Sequence, residues 1–230
     1  MKELPPTDVY LQEYEFLPWG KVVNEVIKFV AANARPGSTV LDAMCGPGFV
    51  VGNIKSLQPQ IVGMGFDISS GFIQSARIQH PDNIYYVQDA LTWSSDIKYD
   101  FVICTAGVHH LPYERQNEYV AKLARATNKN GICIIADPVI PDFNSEKSRK
   151  LASSKLGAWY IDEAIRAGAP DKVIEAMVDV MHNDVLKFEY KSSVPKLRAM
   201  YADHFDHVTV EKVTGPRFKQ FGDYIFYCTH

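Results

Sequence analysis

The run Val40-Leu41-Asp42-Ala43-Met44-Cys45-Gly46-Pro47-Gly48 constrains this chain more than any other. Val40 to Ala43 reads as the end of a buried strand. Gly46 and Gly48 permit a tight turn whose backbone can approach a ligand closely, since neither carries a Cβ. A helical pattern follows from about Phe49. Strand, glycine turn and helix, in that order, build the nucleotide sites of doubly wound α/β folds.

The rest of the first 140 residues repeats the alternation. A helix from about Lys21 has Val22, Val23, Val26, Ile27 and Val30 at helical spacing and ends at Arg35-Pro36-Gly37. Strand one is 39–43, followed by a helix over about 49–56. Strand two is 61–66 and ends in Asp67; a helix over about 71–79 stops before Pro81. Strand three is 84–87 and leads to Asp89. Strand four is 101–105, an apolar run suited to a strand buried on both faces. The next helix, about 113–127, is expected to stop at Asn128-Lys129-Asn130-Gly131. Strand five is 132–136 and ends in Asp137. Such alternation argues for a mostly parallel sheet with right-handed crossovers.

The rhythm breaks over 141–190. Helices are expected at 145–156 and 170–182, as a helical cap inserted after strand five. A helix at 194–204 and strands at 208–213 and 224–228 close the chain. The short link between those strands implies antiparallel pairing. The whole chain, 1–230, reads as one domain, with residues 1–20 as an arm or lid rich in proline and aromatics.

Three acidic residues discriminate among ligands. Asp42 ends strand one, where a carboxylate would repel the pyrophosphate of a dinucleotide and suit a ligand bearing an ammonium group. Val51 also occupies the place of the third fingerprint glycine, so a nicotinamide or flavin cofactor is disfavoured. Asp67 ends strand two, where a carboxylate can accept from both hydroxyls of a ribose. The competing role, capping the next helix, falls better to Ser69 or Ser70. Ile68 can lie against an adenine face. Asp89 can accept from an adenine amino group, or be a solvated loop carboxylate.

These residues together resemble the class I S-adenosylmethionine (SAM)-dependent methyltransferases. The resemblance lies in residues 40–48, Gly65-Phe66-Asp67-Ile68-Ser69, Val87-Gln88-Asp89-Ala90 and Tyr99-Asp100-Phe101-Val102-Ile103-Cys104. It implies a seven-stranded sheet with an antiparallel last strand, and SAM as cofactor. Asp42, Met44, Cys45, Gly46 and Gly48 would hold its methionine moiety, Asp67 the ribose, and Ile68, Gln88, Asp89 and Ala90 the adenine. Thr105, at the end of strand four, and Tyr14, on the arm, are counted as further cofactor contacts. Met44 stands where the family often has its first glycine. The loop after strand four, with His109 and His110, would face the transferable methyl group, which makes those two the candidates for a general base. Trp159, Tyr160, Met177, Met181, His182 and Asn183 of the cap are candidates to line a substrate pocket or simply to pack it.

Composition excludes some alternatives. A net charge of −3 gives no general attraction to nucleic acid or anionic membrane. No apolar run reaches the roughly 18 residues of a spanning helix, and no signal peptide opens the chain. Cys45, Cys104, Cys133 and Cys228 have no metal-binding spacing and read as reduced thiols of a cytoplasmic protein. No metal site is expected; His204 and His207 read as surface residues. The expected function is methyl transfer to a small molecule. The alternatives are a SAM cyclase or lyase, similar to azetidine-2-carboxylate synthases and releasing methylthioadenosine, or a non-catalytic SAM-binding regulatory subunit.

Overall fold

The protein is described from a computed structural model, covering residues 16–182, 186 and 189–230. In chain order it comprises helix α1 (Trp19–Asn33), strand β1 (Thr39–Ala43), α2 (Phe49–Leu57), β2 (Val62–Asp67), α3 (Ser70–Gln79), β3 (Ile84–Val87) and β4 (Tyr99–Thr105). A single 3-10 turn (Val108–His110) follows, then α4 (Tyr113–Ala126), β5 (Thr127–Val139), α5 (Glu146–Arg166), α6 (Asp171–Val180), α7 (Val194–Ala202), β6 (His207–Thr214) and β7 (Gly222–Thr229).

The strands form one seven-stranded sheet in the order β3-β2-β1-β4-β5-β7-β6. β1 to β5 run parallel; β7 is antiparallel to β5, and β6 to β7. The strand order therefore reverses between β1 and β4, and ligands of open α/β sheets bind outside the carboxyl ends of the strands at such a switch.

Both faces of the sheet are covered, and the alternation of side chains along each strand explains how. Leu41, Val102, Ile135 and Phe226 pack on one face with Tyr119 and Leu123 of α4 and Tyr201 of α7. Their neighbours Val40, Ile103, Ile134 and Ile225 pack on the other with Val22, Val26 and Val30 of α1 and Ile54 of α2. Each such aliphatic side chain contributes on the order of 1.5–3 kcal/mol by leaving water. The face of α1 that the spacing of valines predicts is the buried one, and the helix starts two residues earlier than expected, at Trp19.

The expected stop at 128–131 is wrong. α4 ends at Ala126, and residues 127–131 open β5, with Thr127 opposite Tyr99. Gly131 is needed for close approach and not for a left-handed cap. A Cβ there would stand 2.8 Å from the Asp100 carbonyl oxygen and 2.9 Å from that of Tyr99.

After β5 the chain forms the helical cap. α5 begins with a capping box: the Ser145 hydroxyl accepts from the Ser148 N–H, and the Ser148 hydroxyl accepts from the Ser145 N–H. It runs ten residues past the expected end at Leu156, to Arg166. Ile140, Ala152 and Leu156 form a small separate core, joined by Phe143, Trp159, Tyr160 and Phe221. All four cysteines are buried free thiols. No described helix is long and apolar enough to cross a membrane.

Candidate active site

The glycine loop joins β1 to α2 at the carboxyl end of the sheet. Three residues take positive φ there: Met44 at 59°, Gly46 at 52° and Gly48 at 79°. Met44 thus adopts the backbone conformation that a glycine would take most easily. Its side chain reaches the β4 loop, where a Cβ on Gly107 would lie 3.0 Å from its sulfur. Ala106 in that second loop is also left-handed, at 52°. The two non-glycine left-handed residues of the described chain thus stand at adjoining loops of the switch point, where backbone strain commonly accompanies function. Cys45 is buried beneath the loop, and burial raises its thiol well above the usual range.

Asp42 is fully buried. One of its oxygens accepts a long hydrogen bond, 3.3 Å, from the Val51 N–H of α2, and the other has no partner. Burial pushes its pKa up to about 7, and the nearby Asp67 carboxylate adds to the rise. An unsatisfied buried carboxylate oxygen is costly and calls for an explanation. A bound ammonium group would supply both the missing donor and the missing charge.

Asp67 pins the loop. One carboxylate oxygen accepts from the Gly46 N–H at 3.0 Å, and the other from the Ser69 N–H at 2.9 Å. A carboxylate offers about four lone-pair positions, so two remain for a ligand. Burial raises its pKa, and the backbone N–H groups oppose that rise. The helix cap falls to Ser69, whose hydroxyl accepts from the Phe72 N–H at 3.2 Å. Ile68, beside Asp67, is 45% exposed, an apolar side chain left uncovered at the strand end.

On the β3 side, the Gln88 N–H donates to the Asp67 carbonyl at 2.9 Å, which ties the two strand ends together. The Gln88 amide donates to the Thr92 hydroxyl at 3.0 Å. Asp89 Oδ1 accepts from the Leu91 N–H at 2.8 Å, so this carboxylate also shapes its own turn. Ala90 is buried and Thr105 half-buried at the end of β4. Tyr14 and Asn183 lie outside the described residues.

A second group of polar residues collects where the β4 loop meets the cap. His109 is buried and His110 exposed. The two rings lie 4.1 Å apart between centroids. His109 Nδ1 is 2.7 Å from Asp137 Oδ1, at the end of β5. Burial, with the charge of Lys191, holds the imidazole well below its usual pKa. Burial pushes Asp137 up to about 7, against the nearby positive charges of His110 and Lys191. The cap's return segment is clamped to this loop. The Tyr190 N–H donates to the His109 carbonyl at 2.7 Å, and the Gln116 amide donates to both the Leu111 and Tyr190 carbonyls. The Tyr113 hydroxyl donates to the Lys191 carbonyl at 2.6 Å.

The cap candidates divide. The Tyr160 hydroxyl donates to the buried Asp223 of β7, and Trp159 packs beside it. Met181 lies against Gly157, Met177 is half-buried and His182 exposed. His204 bonds Asn117, and His207 pairs with Thr229 at the opposite end of the parallel strands, away from the glycine loop.

This architecture has known relatives. Residues 40–131 match the family model of a methyltransferase domain. Over those residues the chain is similar to that family. The match agrees with the resemblance to SAM-dependent methyltransferases read from the four sequence segments. No curated protein matches the chain's sequence. Among solved structures, a magnesium protoporphyrin IX methyltransferase from Synechocystis PCC 6803 with bound S-adenosylhomocysteine (SAH) superposes with a TM-score of 0.62 at 18% identity, covering 93% of this chain and 84% of that one. A TehB-like SAM-dependent methyltransferase from Corynebacterium glutamicum gives 0.58 at 14% identity, covering 89% and 86%. An O-methyltransferase family protein from Burkholderia thailandensis gives 0.61 at 15%, covering 91% and 55%. At these identities the likeness is one of fold.

Three residues of this corner, Asp137, Glu189 and Lys191, had no role in the sequence reading. Asp137 was visible only as the last residue of strand five. Glu189 and Lys191 carry no local signal; the clamp between the cap's return and the β4 loop brings them in.

Proposed function

We propose that the protein transfers a methyl group from SAM to a small molecule by in-line displacement. The observation that carries this reading is the buried Asp42 with its unpartnered oxygen beside a glycine loop. SAM supplies a methyl group already activated on a sulfonium. The chain's own residues bind and orient. Asp42 receives the ammonium of the amino acid moiety. Asp67 offers its remaining lone pairs to the ribose hydroxyls while it holds Gly46 and Ser69 in place. Ile68 and Ala90 contribute apolar contact to the adenine, and Gln88 and Asp89 polar contact. Met44, Cys45, Gly48 and Thr105 complete the wall. The acceptor stands on the side of His109 and His110, under the cap. Positioning and exclusion of water are what this chemistry asks of a protein. Proton removal, where the acceptor needs it, falls to that histidine pair.

The ring-closing alternative requires an unprotonated amine. Asp42 opposes it, since a carboxylate beside the amine favours the charged form. The test is to incubate the protein with SAM, with and without a pool of small-molecule extract, and to identify the nucleoside product. SAH appearing only with extract is the expected result. Methylthioadenosine formed from SAM alone, well above the spontaneous rate, would overturn it.

A further inference from the structure

His109, His110 and Glu189 each offer a ligand atom, and these atoms lie within 4.8 Å of one another. Two of the three residues, His109 and Glu189, are buried. We propose that this corner binds a divalent transition-metal cation. Two imidazoles and one carboxylate are a donor set suited to zinc or ferrous iron, and three protein ligands leave positions open for a further molecule.

The support around the ligands is that of a built site. One ring nitrogen of His109 is held by Asp137 Oδ1 at 2.7 Å, and this carboxylate–histidine pairing orients a ligand and fixes its tautomer. Glu189 comes from a segment distant in sequence, yet its position is fixed from both sides. Its own carbonyl accepts from the Arg149 guanidinium at 3.0 Å, and the next residue's N–H donates to the His109 carbonyl. The Arg149 charge is matched by Glu146, through two contacts at 2.7 Å. Atoms bound to one zinc at about 2.0–2.1 Å stand about 3–3.5 Å apart, so the ligand atoms close by up to about 1.5 Å when the cation enters.

The Lys191 ammonium lies against the Glu189 carboxylate. It fills the cationic place in the metal-free arrangement. Metal binding then replaces the single charge of the ammonium at Glu189 with the two charges of the cation, with Lys191 moving aside. The consequence for the proposed reaction is a class of acceptor: a hydroxyl or thiol that enters an open metal position and gives up its proton to solvent, the cation then replacing the histidine pair as the means of proton removal.

The test titrates the full-length protein with Co2+, followed by visible absorption, and with Zn2+, followed by calorimetry. One cation per chain is expected, with a Co2+ spectrum distinct from that of the hexaaqua ion. His110→Ala and Glu189→Gln should each weaken binding at least tenfold, and Asp137→Asn by roughly tenfold to a hundredfold. His207→Ala, on β6, should leave it unchanged. Because His110 is exposed, its variant is the one least able to disturb the fold, and circular dichroism checks all of them. No binding up to millimolar metal, or equal binding by the native protein and His110→Ala, overturns the proposal. SAH affinity is measured on the same samples. Retained SAH binding without metal binding removes this inference alone, and lost SAH binding would instead count against the methyl-transfer reading.

Discussion

The two halves of the site are built in different ways. The glycine-loop half is assembled from residues close in sequence at the ends of β1, β2 and β3. Its defining group, Asp42, is buried with an oxygen that no part of the protein satisfies. The cap half joins residues from three distant segments, His109, Asp137 and Glu189, and its carboxylates have protein partners. One half is left incomplete, with a buried acid that the described protein does not pair. The other is internally paired and holds the cap to the sheet. The lesson is that an unpaired buried acid marks where a ligand is expected, whereas a paired one also carries structure.

That contrast can be broken by substitution. Asp137→Ala should act on the fold. It leaves the buried His109 ring without its partner and costs about 3 kcal/mol, the upper range for a hydrogen bond to a charged group. Thermal or urea unfolding reads the loss, while SAH affinity should stay within about threefold. A large loss of SAH affinity without loss of stability would merge the two halves. Asp67→Ala should act on the ligand as well as on the loop it pins. SAH binding should weaken by about 1.5–3 kcal/mol in calorimetry, from lost charge-assisted bonds. Unchanged affinity would remove Asp67 from the ribose. The smallest effect sharpens the distinction within the first half. Ser69→Ala removes only the cap of α3 and should cost about 1 kcal/mol of stability, with little change in SAH affinity.

The same contrast explains what the sequence made legible. The mostly parallel sheet, its antiparallel last pair and the three carboxylates at successive strand ends follow from period, turn chemistry and spacing, all local. The expected cap, Ser69 or Ser70 in place of Asp67, is Ser69, and it was legible because capping is settled within four residues. The start of β5 was misread because Asn128 to Gly131 resembles a helix stop; the carbonyls of Tyr99 and Asp100, far away in sequence, decide what Gly131 is for. α5 was cut short at Leu156, since the packing of Trp159 and Tyr160 on Phe143 and Phe221 is tertiary. Asp137 and Glu189 were missed for the same reason. A carboxylate's partner across the fold leaves no trace in its neighbours along the chain.

The most direct test concerns the proton on Asp42. In the ligand-free protein its pKa is raised to about 7, so at pH 6 about nine molecules in ten carry that proton. A docked ammonium favours the ionised form and lowers the pKa. Binding below pH 7 must therefore release a proton, and affinity must fall by nearly tenfold per unit as the pH drops below 7. Above pH 7 both effects fade. Calorimetric titration with SAH at pH 6, in two buffers of different ionisation enthalpy, measures this. The expected result is saturable binding with close to one proton released per site. Absence of binding, or binding with no proton exchanged, would contradict the claim that the orphaned Asp42 carboxylate awaits the cofactor's ammonium group.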